Sequence, residues 1–374
     1  MRRAGRLPSL AAKYERFTSR GAYALQDLPV LTQEELATAT QDAIALRGDP
    51  GLLWAHGGTL ETPGLSLLPE GMFASEIHSA WNPLGPQDVV ANLHPSGRLR
   101  PDHYFFNRFA GLAGATVLPI GDLPEGDADE WLTFLARQGV TALAVPPQTL
   151  ARLLSGVAAG RPIPWLRTLL LGGATHDSTP EALLAEHFPY TDVWRLYGTP
   201  TSWVIGQHGP QCLAGVYHPL PHQLVEVVDG RVLLTTLSSA RTPPLIRYET
   251  RERAEVGRCS CDRGGPALRV LGPTPPCFRF HGRTIDAREL VALATACEEV
   301  AEAQVTVTPE QCIQLRARLV PDAVDDQHSL AWVRFQVLGH HLVLADCVAE
   351  HPESFEVVSV DESVGAFPLA IGEF

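Results

Sequence analysis

The sequence predicts an α/β protein: a large N-terminal domain built on parallel α/β layers with a small β sub-region, followed by a small α+β C-terminal lobe. Three observations predict it. Apolar strand-length runs alternate with helix-length segments between about residues 114 and 198. A hairpin pattern replaces that alternation after residue 200. Beyond Ala287 helices and strands mix again in a short stretch. Continuous apolar strands separated by helices of about ten residues are the signature of a parallel sheet covered on both faces. The expected domains are residues 1–285, with the β sub-region at about 200–280, and residues 286–374.

Residues 1–30 scatter a few hydrophobics among charges and predict one or two short helices. Thr32-Gln-Glu-Glu-Leu36 predicts a helix start, because Thr can cap and Glu follows within the first turn. The alternation then runs as a strand at Ala115–Ile120, a helix at Asp127–Arg137 and a strand at Val140–Val145. A helix at Gln148–Ala158 and a strand at Leu166–Leu171 follow, the latter ending in Gly172-Gly173-Ala174. The helix at Thr179–His187 has Pro in its first turn. The strand at Asp192–Leu196 ends in Tyr197-Gly198. Ligands of such sheets sit at the C-terminal strand ends, where both Gly-containing turns fall. Gln223–Val228 and Val232–Leu237 flank Asp229-Gly230, a hairpin turn. The C-terminal lobe reads as helix 287–300, strands 303–307 and 312–319, helix 327–350 and strand 355–360.

Of the 374 residues, 45% are hydrophobic and 19% are charged, a composition that supports a packed core. The net charge of −13 argues against a nucleic-acid partner. No apolar run reaches the roughly 18 residues of a membrane span. Met1-Arg-Arg-Ala-Gly-Arg6 is not followed by an apolar signal core, so the expected location is cytoplasmic. Seven cysteines, an odd number, argue against a disulfide framework.

Four constellations can carry chemistry. His56-Gly-Gly-Thr-Leu-Glu-Thr-Pro-Gly64 is a Gly-rich segment whose N–H groups can approach phosphate, or else an ordinary surface turn. Gly172-Gly173-Ala174 and Tyr197-Gly-Thr-Pro-Thr201 allow close backbone approach, with Tyr197 a flat face for a planar ring, or else are packing turns. Arg247, Glu252, Arg283 and Asp286 offer contacts to hydroxyls or phosphate, or else ion-pair on the surface. Cys212, His218, Cys259 and Cys261 are the ligand set of a closed zinc site, with His208 an alternative fourth ligand. The competing reading of that set is reduced cysteines. His56, His94, His103 and His176 fall near the expected cleft, and the adjacent His340 and His341 predict solvated helix positions. There is no Ser nucleophile elbow, His-Glu-X-X-His motif or Walker motif.

The order of these pieces resembles the adenylate-forming superfamily of acyl-CoA synthetases, and within it the phenylacetate–CoA ligase branch. Pro29-Val-Leu-Thr-Gln-Glu-Glu-Leu36 resembles the lead-in to the phosphate loop, and Gly57–Gly64 stands at the place of Ser-Gly-Thr-Thr-Gly-X-Pro-Lys. Tyr197–Thr201 is similar to Tyr-Gly-X-Thr-Glu, Leu245–Glu252 to Leu-Ile-Arg-Tyr-Arg-Thr-Gly-Asp, and Gly282–Asp286 to Gly-Arg-X-Asp-Asp. The resemblance implies an ATP-dependent ligase that forms an acyl-adenylate and transfers the acyl group to a thiol or amine. It implies ATP/AMP with Mg²⁺ as cofactor, and a small carboxylic acid, aromatic in this branch, with CoA or an amine as acceptor. Gly58 and Thr59 would meet phosphates, and Gly172, Gly173, Ala174, Tyr197, Gly198 and Thr199 would frame adenine and acyl group. Glu252 and Arg283 would hold the ribose, Thr201 would stand at the magnesium-binding Glu, and Asp286 would be the hinge acid. The branch also implies a structural Zn²⁺ on the Cys/His set and a homodimer.

The departures are as specific as the matches. Leu60, Glu61 and Gly64 replace Thr, Gly and Lys of the phosphate loop, and Pro200-Thr201 replaces Thr-Glu. Glu373 stands where the catalytic lysine is expected. The chain contains a single lysine, Lys13. The alternative expectation is therefore a degenerate homologue that binds nucleotide or an aromatic acid without completing adenylation.

Overall fold

The computed structural model describes residues 1–17, 23–46, 50–58, 63–97, 99–123, 128–158, 161–172, 181–199, 201–238, 243–308, 311–321, 326–364 and 369–371. They divide into two compact units: Met1–Trp54 with Leu65–Leu271, and Ala55–Gly64 with Gly272–Phe374.

The first unit opens with helices α1 (Pro8–Tyr14) and α2 (Gln33–Ala45). As the Thr-X-X-Glu spacing predicts, Thr32 caps α2: its Oγ1 accepts from Glu35 N at 3.3 Å, and Glu35 Oε2 accepts from Thr32 N at 2.9 Å. Strands β1 (Gly51–Gly58) and β2 (Pro63–Pro69) form a two-stranded sheet, and Thr59, Leu60, Glu61 and Thr62 of the expected phosphate loop lie outside the described residues. Then come α3 (Ala74–Ala80), β3 (Val89–Asn92), α4 (Asp102–Leu112), β4 (Thr116–Leu118), α5 (Ala128–Arg137) and β5 (Ala142–Val145). α6 (Pro147–Ser155), β6 (Thr168–Leu171), α7 (Glu181–His187) and β7 (Asp192–Thr199) complete the alternation. The antiparallel part is β8 (Trp203–His208), β9 (Val216–Pro219), β10 (Gln223–Val228), β11 (Arg231–Thr236), β12 (Tyr248–Gly257) and β13 (Ala267–Pro273).

All strands from β3 to β13 join one 11-stranded sheet, in the order β10-β11-β12-β13-β9-β8-β7-β6-β5-β3-β4. β4, β3, β5, β6 and β7 pair in parallel, and β7 turns directly into antiparallel β8. The β segment expected for about 200–280 is thus an extension of the parallel sheet. Its Asp229-Gly230 turn has both residues at positive φ (50° and 76°), as a hairpin turn of that type requires.

Side-chain alternation gives the parallel region two cores. Ala142, Ala144 and Leu170 face an aromatic cluster of Trp54, Phe73, Trp81, Phe105, Phe106, Phe109 and Trp203. Leu143, Val145, Leu169 and Leu171 face an aliphatic cluster with Leu132, Leu135, Leu150 and Leu166. A third cluster seats α1 and α2 against Tyr197, Tyr217 and Tyr248.

Arg247 ties the N-terminal segment to the hairpin β10–β11. Its Nε donates to Glu226 Oε2 at 3.2 Å, and Nη1 donates to the carbonyls of Gln26 and Leu28, each at 3.0 Å. The side chain is 11% exposed and that of Glu226 is 21% exposed. Arg247→Ala is expected to cost about 3–5 kcal/mol, because it strands a half-buried carboxylate and two carbonyls. A lowered urea midpoint with an unchanged slope checks it.

The second unit holds the hairpin β14 (Cys277–Phe280) and β15 (Arg283–Asp286), then α8 (Ala287–Thr295), β16 (Val300–Val307) and β17 (Ile313–Leu319). α9 (Asp326–His340), α10 (Leu342–Glu350), β18 (Phe355–Ser359) and β19 (Leu369–Ile371) follow. Its four-stranded sheet has the order β18-β17-β16-β19, antiparallel at the centre and parallel at both edges. The single helix expected over 327–350 is two helices. His341 breaks it: Nδ1 accepts from Leu344 N at 3.1 Å as the cap of α10, while Nε2 lies 3.1 Å from Glu289 Oε2. At 1% exposure His341 is buried, which corrects its expected solvated position. The cap satisfies Nδ1, and the Glu289 carboxylate stands within ion-pair distance of Nε2 without an aligned hydrogen bond.

Glu302 of β16 fastens the segment that leads to β19. It meets Arg318 Nη2 at 2.5 Å, Ser363 Oγ at 2.8 Å and Val364 N at 3.2 Å. The Arg318 and Ser363 side-chain hydrogen bonds, then the Val364 N–H, hold its carboxyl down to about 2 from an ordinary 4.5. A carboxyl depressed on folding contributes stability that is present above pH 4.5 and lost as pH falls toward 2. Melting curves of wild type and Glu302→Gln should therefore differ above pH 4.5 and converge as the pH approaches 2.

Candidate functional site

The C-terminal ends of the parallel strands carry the first group of candidate residues. Gly172 follows β6, and a Cβ there would lie 2.8 Å from Phe106 Cε2 and 3.3 Å from His94 Cε1. His94 stacks on Phe106 at 4.4 Å between ring centroids and is 2% exposed. At Gly172 the missing side chain therefore makes room for this ring pair. His103 lies alongside, its Nδ1 2.7 Å from the His94 carbonyl oxygen. Gly198 is needed more strictly: a Cβ would sit 2.2 Å from the Trp203 carbonyl oxygen, because β7 and β8 turn back within a few residues.

That turn closes a buried chain of hydroxyls. Tyr248 OH donates to Thr201 Oγ1 at 2.7 Å, and Thr201 Oγ1 lies 3.3 Å from Thr199 Oγ1. Thr199 Oγ1 lies 2.6 Å from Ser202 Oγ and accepts from Ser202 N at 3.2 Å. Ser202 Oγ donates to the Trp203 carbonyl at 3.3 Å, and Ser66 Oγ to the Thr201 carbonyl at 3.4 Å. These contacts join Tyr248, Thr201, Thr199 and Ser202 into one continuous run of buried hydroxyls. The structure thus brings Thr199 and Thr201 together and adds Ser66, Ser202 and Tyr248. Sequence reasoning missed these three; only Tyr248 lay in a quoted motif.

Other candidates are placed differently. Tyr197 is 1% exposed and packs on Tyr217 at 5.2 Å between ring centroids, so it presents no open face for a planar ring. Burial in the cluster with α1 and α2 outweighs the platform expected of it. Glu252 is 2% exposed within β12, and its N–H donates to Thr250 Oγ1 at 3.3 Å. Asp286 caps α8 through Arg288 N at 3.0 Å and forms a forked ion pair with the Arg288 guanidinium. Arg283 stands opposite Phe280 in the hairpin β14–β15. Gly58 ends β1. Thr59, Leu60, Glu61, Gly173, Ala174, His176, Pro200 and Glu373 lie outside the described residues. The single lysine is committed: Lys13 Nζ donates to the Val30 carbonyl at 2.6 Å and ion-pairs with Glu35.

The metal candidates converge. One ligand atom from each of Cys212, His218, Cys259 and Cys261 lies within 4.8 Å of all the others. Cys212 comes from the β8–β9 connection, His218 from β9, and the Cys-X-Cys pair from the β12–β13 loop. Cys261 Sγ is 3.2 Å from His218 Nε2. Backbone N–H groups already point at sulfur: Gly209 N to Cys212 Sγ and Leu213 N to Cys259 Sγ, both at 3.4 Å. For Cys259, burial pushes the thiol up, but the Cys261 and Leu213 N–H groups bring it below its ordinary range. Burial, then the neighbouring Arg263, lowers His218 and favours the neutral imidazole that binds metal. Cys212 is pushed up to about 12, chiefly by burial. His208 is engaged elsewhere, with Nδ1 3.0 Å from the Val216 carbonyl oxygen. Three sulfurs and one imidazole at this spacing fit a closed tetrahedral ion. Arg263 pins the loop, donating to the Ala80 carbonyl at 2.8 Å and lying over Trp194.

These features have the fold of the adenylate-forming enzymes. The chain is similar to 2-hydroxyisobutyryl-CoA ligase, solved with 2-HIB-AMP and CoA in the thioesterification state: TM-score 0.77 at 15% identity, covering 99% of this chain and 87% of that one. It is also similar to the amide bond synthetase McbA from Marinactinospora thermotolerans (TM-score 0.57, 17% identity, 83% of this chain and 65% of that one). A third match is o-succinylbenzoate CoA synthetase from Bacillus subtilis (TM-score 0.57, 14% identity, 80% and 63%). The chain therefore spans slightly under two thirds of the last two proteins. No protein-family model matches the chain. No curated protein matches it either. No helix among the described residues is long and apolar enough to cross a membrane.

Proposed function

We propose that the protein handles a small carboxylic acid as its acyl-adenylate and passes the acyl group to a thiol such as CoA or to an amine. One observation carries this reading: nearly the whole chain follows the fold of a ligase solved with an acyl-adenylate and CoA. The turns after β6 and β7, at the strand ends where such sheets bind ligands, supply the candidate site. Gly172, Gly173, Ala174, Gly198 and Thr199 of the first unit would border the adenylate, with Glu252 of the same unit toward its ribose. The resemblance to the phenylacetate–CoA ligase branch makes an aromatic acid the first acyl group to try. In that superfamily the adenylate is drawn from ATP with Mg²⁺. Cys212, His218, Cys259 and Cys261 would hold a structural Zn²⁺ that clamps the β8–β9 and β12–β13 connections.

The test is binding and turnover with a panel of aromatic and aliphatic acyl groups. Sulfamate analogues of the acyl-adenylates, which cannot transfer the acyl group, should raise the melting temperature. The acyl-adenylates themselves should yield AMP and an acylated thiol or amine. No shift and no product across the panel would sink the reading.

A further inference from the structure

The magnesium of the superfamily's reaction meets an unsuitable donor set here. The resemblance places a carboxylate at position 201, where it would help bind Mg²⁺. The residue present is Thr201, 8% exposed, and its hydroxyl is already spent. It accepts from Tyr248 OH at 2.7 Å and lies 3.3 Å from Thr199 Oγ1. Thr199 Oγ1 lies 2.6 Å from Ser202 Oγ, which donates to the Trp203 carbonyl at 3.3 Å. Each oxygen of this chain is neutral. Mg²⁺ gives up its water reluctantly and is held by carboxylates and phosphates. A buried, neutral threonine hydroxyl already engaged by Tyr248 and Thr199 offers it no charge.

A second observation points the same way. Attack of a carboxylate on ATP gathers negative charge at the α-phosphate, and the superfamily meets it with a lysine. The one lysine of this chain is held by the Val30 carbonyl and Glu35. Removing such a cation from a developing charge costs roughly three orders of magnitude in rate.

We propose that this chain does not make the acyl-adenylate: a separate ATP-consuming reaction that activates the acid supplies it, and this chain carries out the transfer alone. The inference rests on the acyl-transfer reading above and names its substrate. The step balances without ATP or a metal. The acceptor sulfur or nitrogen forms a bond to the acyl carbon. The acyl C–O bond breaks, and AMP leaves with the electron pair. The acceptor's proton goes to solvent, and nothing is oxidised or reduced. AMP is already a good leaving group and carries no triphosphate for a divalent cation to neutralise.

The full chain, purified without chelator, tests this in two assays. The first follows acid-dependent exchange of labelled pyrophosphate into ATP with Mg²⁺ present, across the same acid panel. The second supplies synthetic benzoyl-, phenylacetyl- and butyryl-adenylate with CoA or an amine panel, and follows AMP and acylated product with and without Mg²⁺. The expected result is no exchange above background. Transfer should be faster than the uncatalysed reaction and change by less than about twofold when Mg²⁺ is omitted. Acid-dependent exchange that needs Mg²⁺, or transfer that collapses without it, overturns this inference and leaves the acyl-transfer reading standing. No product from any acyl-adenylate overturns both.

Discussion

Purified protein is expected to carry about one zinc per chain, and stripping it with a strong chelator should lower the melting temperature by about 10 °C. The magnitude follows from what the four ligands join. Cys212 lies in the β8–β9 connection, His218 in β9, and Cys259 and Cys261 in the β12–β13 loop, so an ion would tie together the connections of four neighbouring strands, β12, β13, β9 and β8. Without it, thiols and imidazole packed within 4.8 Å of one another lose their common partner. Elemental analysis gives the metal content, and calorimetry before and after chelation gives the shift. Hydrogen exchange should speed up in residues 209–216 and 257–265. Cys261→Ser should reproduce the loss. A metal-free protein with an unchanged melting temperature would mean that these are reduced cysteines and nothing more.

Gly198→Ala should be nearly as damaging. The added Cβ would meet the Trp203 carbonyl oxygen at 2.2 Å and Val204 Cα at 2.9 Å, and both are backbone atoms of the facing strand. No rotamer change relieves such a contact, so β7 and β8 must part. The expected cost is about 3 kcal/mol or more, at the upper end of overpacking effects. Gly257 is the control, because a Cβ there meets nothing within 4 Å. Gly257→Ala should stay within about 0.5 kcal/mol of wild type. Denaturant melts of the two variants decide it. Equal stability would show that the hairpin relaxes freely.

Much of the fold is readable from the sequence because its signals are local. Strands such as Leu143–Val145 and Leu169–Leu171 are apolar throughout since both faces of the sheet are covered. The capping box at Thr32 and the Asp229-Gly230 turn are equally local. β3 and α4 precede Gly114, where the clear alternation of apolar strands and helices begins, and are not legible from that pattern. The helix break at His341 is not legible in the sequence: the ring caps α10 from inside the fold, and the carboxylate nearest its other nitrogen, Glu289, is 52 residues away. The site divides in the same way. The Cys/His group was visible as a residue set, but only the fold separates His218 from His208. The burial of Tyr197 and the run of hydroxyls from Tyr248 to Ser202 depend on contacts across strands. Tyr248 and Thr201 are 47 residues apart, and no spacing rule joins them.

The single, ion-paired lysine has a consequence for the protein's own durability. Acyl-adenylates are mixed anhydrides, and free amines scavenge them. A chain of 29 basic Lys and Arg residues with only one lysine has almost replaced its nucleophilic amines with guanidinium groups, which stay protonated and unreactive at neutral pH. Glu35 and the Val30 carbonyl occupy the one side-chain amine. Intact-mass spectrometry after exposure to excess benzoyl-adenylate should find the protein little modified, where a lysine-rich protein of similar size collects several adducts. Glu35→Gln should unmask Lys13 as the first site to be acylated.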